Sequence, residues 1–347
     1  MRNIKIILFI SFFQLTFTGF STTMTTNLKN RIEKRLKTSG YLKPKKLKYY
    51  GFIHLGDVLK EKKELKKMRE YCNTIGMMTS ESSVRSKYDK GANEKEKIAF
   101  LKKEGERIKF LKSLNYEFCW LMPLANLVKE NKLAEFKKEL QFIKKNMPEM
   151  KTIDMVSIFD EPNFTDVTAE QLDDFIDAFK NVFPNVKTLF FYAIVHPKFL
   201  EVKPPSKADI LGIDPYMFKG RYENTPEEFE YFYQESLACA LDWANRQDKP
   251  FIIAGDCFYS RNPKGKKKTT PEAAQWYYQL ALTQPKCIGL IWFYYGNVPI
   301  ENENLKGFNF KESSKKLQKL HYDIGKAIFK KPTPLGLQWD IFAPAGE

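Results

Sequence analysis

Phe251-Ile252-Ile253-Ala254-Gly255-Asp256 is an apolar run that stops on a carboxylate. Downstream, Ile288-Gly289-Leu290-Ile291-Trp292 is apolar throughout. Neither run alternates apolar with polar residues. A strand with one wet face would alternate, so both read as strands buried on two faces, as parallel strands beneath covering helices are. The segment between them reads as a helix. Thr270-Pro271 supplies a cap followed by proline at the first helical position, and Pro285 ends it.

Outward from this unit the same alternation recurs. The pattern predicts strands over residues 49–55, 75–79, 116–122, 155–159, 188–195, 210–213, 251–254 and 288–293. Helices are predicted over about 58–73, 94–113, 133–146, 168–183, 226–246 and 311–329, besides the one after Pro271. Thr168-Ala169-Glu170-Gln171 has the form of a capping box. Pro204-Pro205 implies that the helix between the fifth and sixth strands is reduced or absent. Eight buried strands, each followed by a helix or its remnant, make an α/β protein of the (β/α)8 (TIM) barrel type. An open doubly wound sheet is the rival. It is disfavoured because neither G-x-G-x-x-G nor G-x-x-x-x-G-K-[ST] occurs, and no other cofactor motif does.

The barrel is expected over residues 49–331, after a polar, Lys-rich lead at 23–48 and before an irregular tail at 332–347. Residues 1–22 read as a signal peptide. Arg2 and Lys5 precede the uncharged run 6–20, and Ser21-Thr22-Thr23 follows where cleavage would fall. The chain is therefore expected to be secreted or extracytoplasmic, with an uncleaved N-terminal anchor as the alternative. No later apolar stretch reaches the roughly 20 residues of an integral membrane span.

The net charge of +15 is spread along the presumptive helices, which marks solvated faces. Lys264-Gly265-Lys266-Lys267-Lys268 is the one local cluster. No nucleic-acid-binding motif accompanies the charge, so no nucleic acid partner is expected. The five cysteines are widely spaced, with no CxxC and no Cys/His group of metal-ligand spacing. No metal is expected, and the cysteines sit mostly in apolar runs as buried thiols.

In such a barrel the functional site is built from the C-terminal strand ends, and polar residues gather there. The fourth strand runs into Asp160-Glu161-Pro162-Asn163 and the sixth into Asp214-Pro215-Tyr216. The seventh runs into Asp256, and the eighth into Trp292-Phe293-Tyr294-Tyr295. His54 closes the first strand and His196 the fifth. Cleaving a glycosidic bond needs one protonated and one ionised carboxyl on either side of it. Adjacent strand residues point to opposite faces, so Asp160 and Glu161 cannot straddle a sugar together. The partner of Glu161 must come from another strand, and Asp256 and Asp214 are available.

In this pattern the chain resembles the large clan of retaining glycoside hydrolases with (β/α)8 barrels. The resemblance rests on Asp160-Glu161-Pro162, Gly212-Ile213-Asp214-Pro215-Tyr216, Asp256 and Trp292, over about 145 residues. It implies that Glu161 is the acid/base, Asp256 holds the nucleophile position, Tyr216 steadies it and Trp292 floors a sugar subsite. Asp160, Asp214, Tyr294, His54 and His196 would contact a poly- or oligosaccharide substrate. Two positions depart from the clan. Asp160 stands where Asn is usual, and Asp256 where Glu is usual. The shorter Asp sets its carboxylate back by roughly 1–1.5 Å. Retention wants carboxylates about 5–5.5 Å apart and inversion about 6.5–9.5 Å. An inverting enzyme, or a barrel that binds glycans without cleaving them, is therefore an alternative. A barrel enzyme of another class, such as a lyase or deacetylase, is a third.

Overall fold

The computed structural model describes residues 47–79, 88, 91–193, 202–215, 238–260, 274, 277–278, 280–282, 284–295, 305–307 and 315–329. Eight strands close into one parallel barrel. In order these are β1 (Tyr49–Gly56), β2 (Thr74–Thr79), β3 (Glu117–Leu121), β4 (Met155–Ser157), β5 (Lys187–Ala193), β6 (Ile210–Asp214), β7 (Phe251–Asp256) and β9 (Cys287–Tyr295). Strand β9 pairs with β1 and so closes the ring. Two further strands, β8 (Phe258–Ser260) and β10 (Leu305–Gly307), form a separate antiparallel pair directly beyond β7. The sequence pattern did not indicate that pair.

Seven helices lie among the described residues: α1 (Lys62–Met68), α2 (Glu94–Ser113), α3 (Ala125–Lys129), α4 (Leu133–Asn146), α5 (Ala169–Val182), α6 (Ala238–Arg246) and α7 (Lys315–Phe329). Helix α5 begins at the expected capping box: Thr168 accepts from the Gln171 N–H, and the Gln171 side chain accepts from the Thr168 N–H. Asn93 and Glu96 cap α2 in the same reciprocal way. Residues 202–209, between β5 and β6, hold no helix. The expected signal peptide, most of the N-terminal lead and the C-terminal tail lie outside the described residues. Among the described residues, no helix is long and apolar enough to cross a membrane.

Strand alternation splits the core in two. One cluster is made of strand residues alone, among them Met155, Leu189, Ile210, Ile252, Ala254 and Ile291, and it fills the barrel interior. Their neighbours on the same strands, such as Val156, Phe190, Leu211, Ile253, Leu290 and Trp292, join the helix residues in the layer outside. Packing inside the ring depends on small residues set against large ones. A Cβ at Gly212 would come within 2.2 Å of the Phe191 ring, so the bare glycine of β6 leaves that ring its place. Outside the ring, Gly255 plays the same part for Trp292, with a gap of 2.7 Å from a hypothetical Cβ to the indole.

Candidate active site

The parallel register brings Asp214 and Asp256 to the C-terminal ends of neighbouring strands. Ala193 of β5 pairs with Asp214 at the end of β6, and Asp256 at the end of β7 pairs with Phe293 of β9. Glu161 lies just past the end of β4, and its N–H donates to the Phe191 carbonyl of β5 at 3.1 Å. These are the C-terminal strand ends, where barrels of this type carry their chemistry.

Glu161 has a backbone that sets it apart. Its φ is +47° and ψ 56°, the left-handed region that a β-carbon disfavours. It also precedes a proline, which normally pushes a residue to extended geometry. Holding a non-glycine residue there costs on the order of 1–3 kcal/mol, and such strain clusters at functional sites. The surroundings supply the constraint. Pro162–Phe164 forms a 3-10 turn, the Phe164 N–H donates to the Glu161 carbonyl, and the Asn163 side chain donates to the Ala193 carbonyl at 2.7 Å. Two bonds to β5 therefore clamp the turn, and the Glu161 side chain is left half-buried at the rim.

Asp160, also half-buried, is close to the interior face of β3. Burial pushes the Cys119 thiol up to about 12, and the Asp160 charge adds to that push. Cys119 belongs to the interior cluster of the barrel. Asp214 is 4% exposed and shares its strand face with Ile210 of the interior cluster. Asp256 occupies the register position two residues beyond Ala254, but its side chain lies outside the description, as does that of Tyr294. Tyr216 and His196 also lie outside the described residues.

Two expected sugar contacts are placed elsewhere. Trp292 is fully buried in the helix-facing layer, packed edge-on against Tyr277 and His321. It does not floor the mouth, because alternation along β9 turns Ile291 inward and Trp292 outward. His54 is likewise 0% exposed, with Nε2 2.9 Å from the Glu61 carboxylate and its ring against Tyr295. Its observed partner is a side chain of the β1–α1 connection. Asp57, also at the end of β1, caps the Leu59 N–H and pairs with Arg107 and Lys103, which hold its carboxyl below the usual carboxylate range despite partial burial.

Sequence reasoning missed the layer that supports this rim from behind. The Tyr277 hydroxyl donates to the Pro215 carbonyl at 2.6 Å, next to Asp214, while its ring meets Trp292 at 90°. Trp120 of β3 donates its indole N–H to Glu104 at 3.1 Å, and Glu104 pairs with Arg107. A pair of opposite charges three residues apart on a helix, followed by a strand tryptophan, is the only sequence trace of that network. Among the described residues no group of three or more His, Cys, Asp or Glu side chains is placed to hold a metal ion.

No protein-family model and no curated protein matches the sequence. Solved structures do match in shape. Thermotoga maritima Cel5A, solved in complex with mannotriose, is 16% identical with a TM-score of 0.55, over 79% of this chain and 97% of that one. The exo-β-1,4-mannosidase Op5Man5 from Opitutaceae bacterium strain TAV5 is 12% identical with a TM-score of 0.54, over 83% of this chain and 60% of that one. A GH2 β-galacturonidase from Eisenbergiella tayi, bound to galacturonate, is 13% identical with a TM-score of 0.53 over 81% of this chain. The match spans about half of that galacturonidase, 51% of its length. Identities this low establish the fold: the chain is a (β/α)8 barrel of the shape that these glycoside hydrolases share.

Proposed function

We propose that the chain is a secreted glycoside hydrolase that cleaves a poly- or oligosaccharide at the C-terminal rim of its barrel. The observation that carries this reading is Glu161, held in a strained left-handed turn at the end of β4 by two hydrogen bonds to β5. A carboxyl clamped at that cost, on the rim that also receives Asp160, Asp214 and Asp256, is what acid catalysis of glycoside cleavage needs. The glycosidase names of the similar structures support the substrate class.

In this reading Glu161 donates a proton to the glycosidic oxygen as the bond to the anomeric carbon breaks. Asp256 acts from across the cleft. Its side chain is one methylene shorter than Glu, which leaves room for a water between carboxylate and sugar. Asp256 then takes a proton from that water as it attacks, and the product forms with inverted configuration. Asp160 and Asp214 hydrogen-bond sugar hydroxyls.

The test is release of reducing ends from a broad panel of polysaccharides by the mature protein and by Asp256→Asn, with the first-formed anomer followed by proton NMR. The reading expects turnover by the wild type, inversion at the anomeric carbon, and loss of at least roughly 100-fold in Asp256→Asn. Binding without turnover across the panel would instead support a glycan-binding barrel, the reading that the shorter Asp256 and the Asp at 160 also favour.

A further inference from the structure

On the helix-facing side of the barrel, behind the rim, three polar side chains meet in a sealed space. Tyr50 of β1 and His321 of α7 are 0% exposed, and Cys257, just past β7, is 1% exposed. The Tyr50 hydroxyl lies 3.1 Å from His321 Nδ1 and 3.2 Å from the His321 carbonyl oxygen. Across the ring, Nε2 lies 3.6 Å from Cys257 Sγ. Phe52 and Trp292 meet the imidazole edge-to-face, at centroid distances of 5.3 and 4.8 Å.

One arrangement of protons pairs all three side chains and both oxygen neighbours of this chain. A tyrosine hydroxyl has one hydrogen, and here it has two neighbours that can accept it. If the hydroxyl donates to the carbonyl, Nδ1 must carry a proton and donate to the hydroxyl oxygen. Burial pushes the His321 imidazolium down to about 3, so the ring is neutral at pH 7 and keeps one proton; with that proton on Nδ1, Nε2 is bare. Nε2 then accepts from the Cys257 thiol. This tautomer satisfies three donors and three acceptors where water does not reach.

The chain ends beside the candidate site. Cys257 directly follows Asp256, and its N–H donates to the Phe293 carbonyl at 2.5 Å. Asp256 itself pairs with Phe293 in the barrel register. The end of β7 is thus held by the sheet on one side and by the thiol from behind. At 1% exposure the Cys257 thiol is out of reach of a substrate, so its part is mechanical.

We propose that Tyr50, His321 and Cys257 are positioning residues, a buried relay that fixes where β7 ends and so where the backbone presents Asp256. The inference rests on the reading of Asp256 as the second carboxylate of a glycosidase site, and it adds the residues that hold that position.

The test uses the full chain as Cys257→Ala and Cys257→Ser, with hydrogen exchange followed by mass spectrometry and turnover measured in parallel. Removing the thiol should speed exchange at residues 255–258 roughly tenfold while leaving β3 unchanged, and Ser, which keeps a donor, should restore most of the protection. With the wild type active, kcat of Cys257→Ala should fall roughly tenfold at nearly constant KM, with recovery in Cys257→Ser. Unchanged exchange at 255–258, or an equal rise in β3, would overturn the relay, as would a Ser variant no better than Ala. Should Cys257→Ala not fold, Tyr50→Phe removes the hydroxyl at nearly constant volume and is read by the same exchange. A wild type without glycan turnover would remove the glycosidase reading alone, because the exchange data still decide whether the relay holds β7.

Discussion

At Glu161 structure and chemistry are in conflict, and the conflict is informative. Its φ of +47° is one that glycine adopts without penalty. Replacing Glu161 with Gly should therefore stabilise the fold by about 1 kcal/mol or more while removing any hydrolytic activity. Urea unfolding of the two proteins measures the first effect, and a variant less stable than wild type would show that the turn is not strained. Gly255 makes the opposite prediction. A methyl group there would sit 2.7 Å from the Trp292 indole, so Gly255→Ala should destabilise by about 1–3 kcal/mol, read as a lower urea midpoint. The residue types at the rim were legible in the sequence, since apolar runs that end in Asp160-Glu161, Asp214 and Asp256 stand out by composition alone. The direction of each side chain was not. Trp292 and Ile291 are both apolar, and only the register decides that the isoleucine faces inward and the indole faces the helices.

Elements carried the clearest sequence signals. Helices α2, α4 and α5 lie within a residue of their expected limits; capping boxes mark the starts of α2 and α5, and prolines follow the ends of α4 and α5. Strand positions followed from unbroken apolar runs. What escaped was cooperation between elements, and the Glu104–Arg107 pair of α2 shows why. Glu104 is 0% exposed and its carboxyl is raised by burial, against the pull of Arg107 and the Trp120 indole N–H. In sequence these residues look like two more charges on a solvated helix face. In the fold they join α2 to Trp120 of β3 and, through Arg107, to Asp57 at the end of β1. Arg107→Met should cost about 3–5 kcal/mol, since it strands a buried carboxylate. The double variant Glu104→Gln with Arg107→Met should recover part of that loss in chemical denaturation. Full additivity of the two substitutions would mean that the residues do not act as a pair.

Over the whole molecule, the relay behind β7 couples stability to pH. His321 is neutral in the fold, with its pKa lowered from 6.5 to about 3 by burial. The unfolded chain takes up this proton first, so the contribution is fully present above about pH 6.5 and is lost as pH falls toward 3. Between pH 7 and pH 4.5 the loss from this group is on the order of 2–3 kcal/mol. The lowered carboxyls of Asp57 and Asp209 give up their share at more acid pH, since both begin from 3.8. Urea midpoints across that window should fall in the wild type and stay flatter in His321→Leu. Equal slopes would place the acid sensitivity elsewhere.

The central claim is that the barrel rim cleaves glycosidic bonds with Glu161 as the proton donor. It is tested most directly by measuring turnover and binding of one oligosaccharide, chosen from the polysaccharide panel, with the wild type and Glu161→Gln. Hydrolysis by the wild type is expected, with a variant that binds the same ligand with similar affinity but has lost turnover by roughly 100-fold or more. Undiminished hydrolysis by Glu161→Gln, or binding without hydrolysis by both proteins, would contradict it.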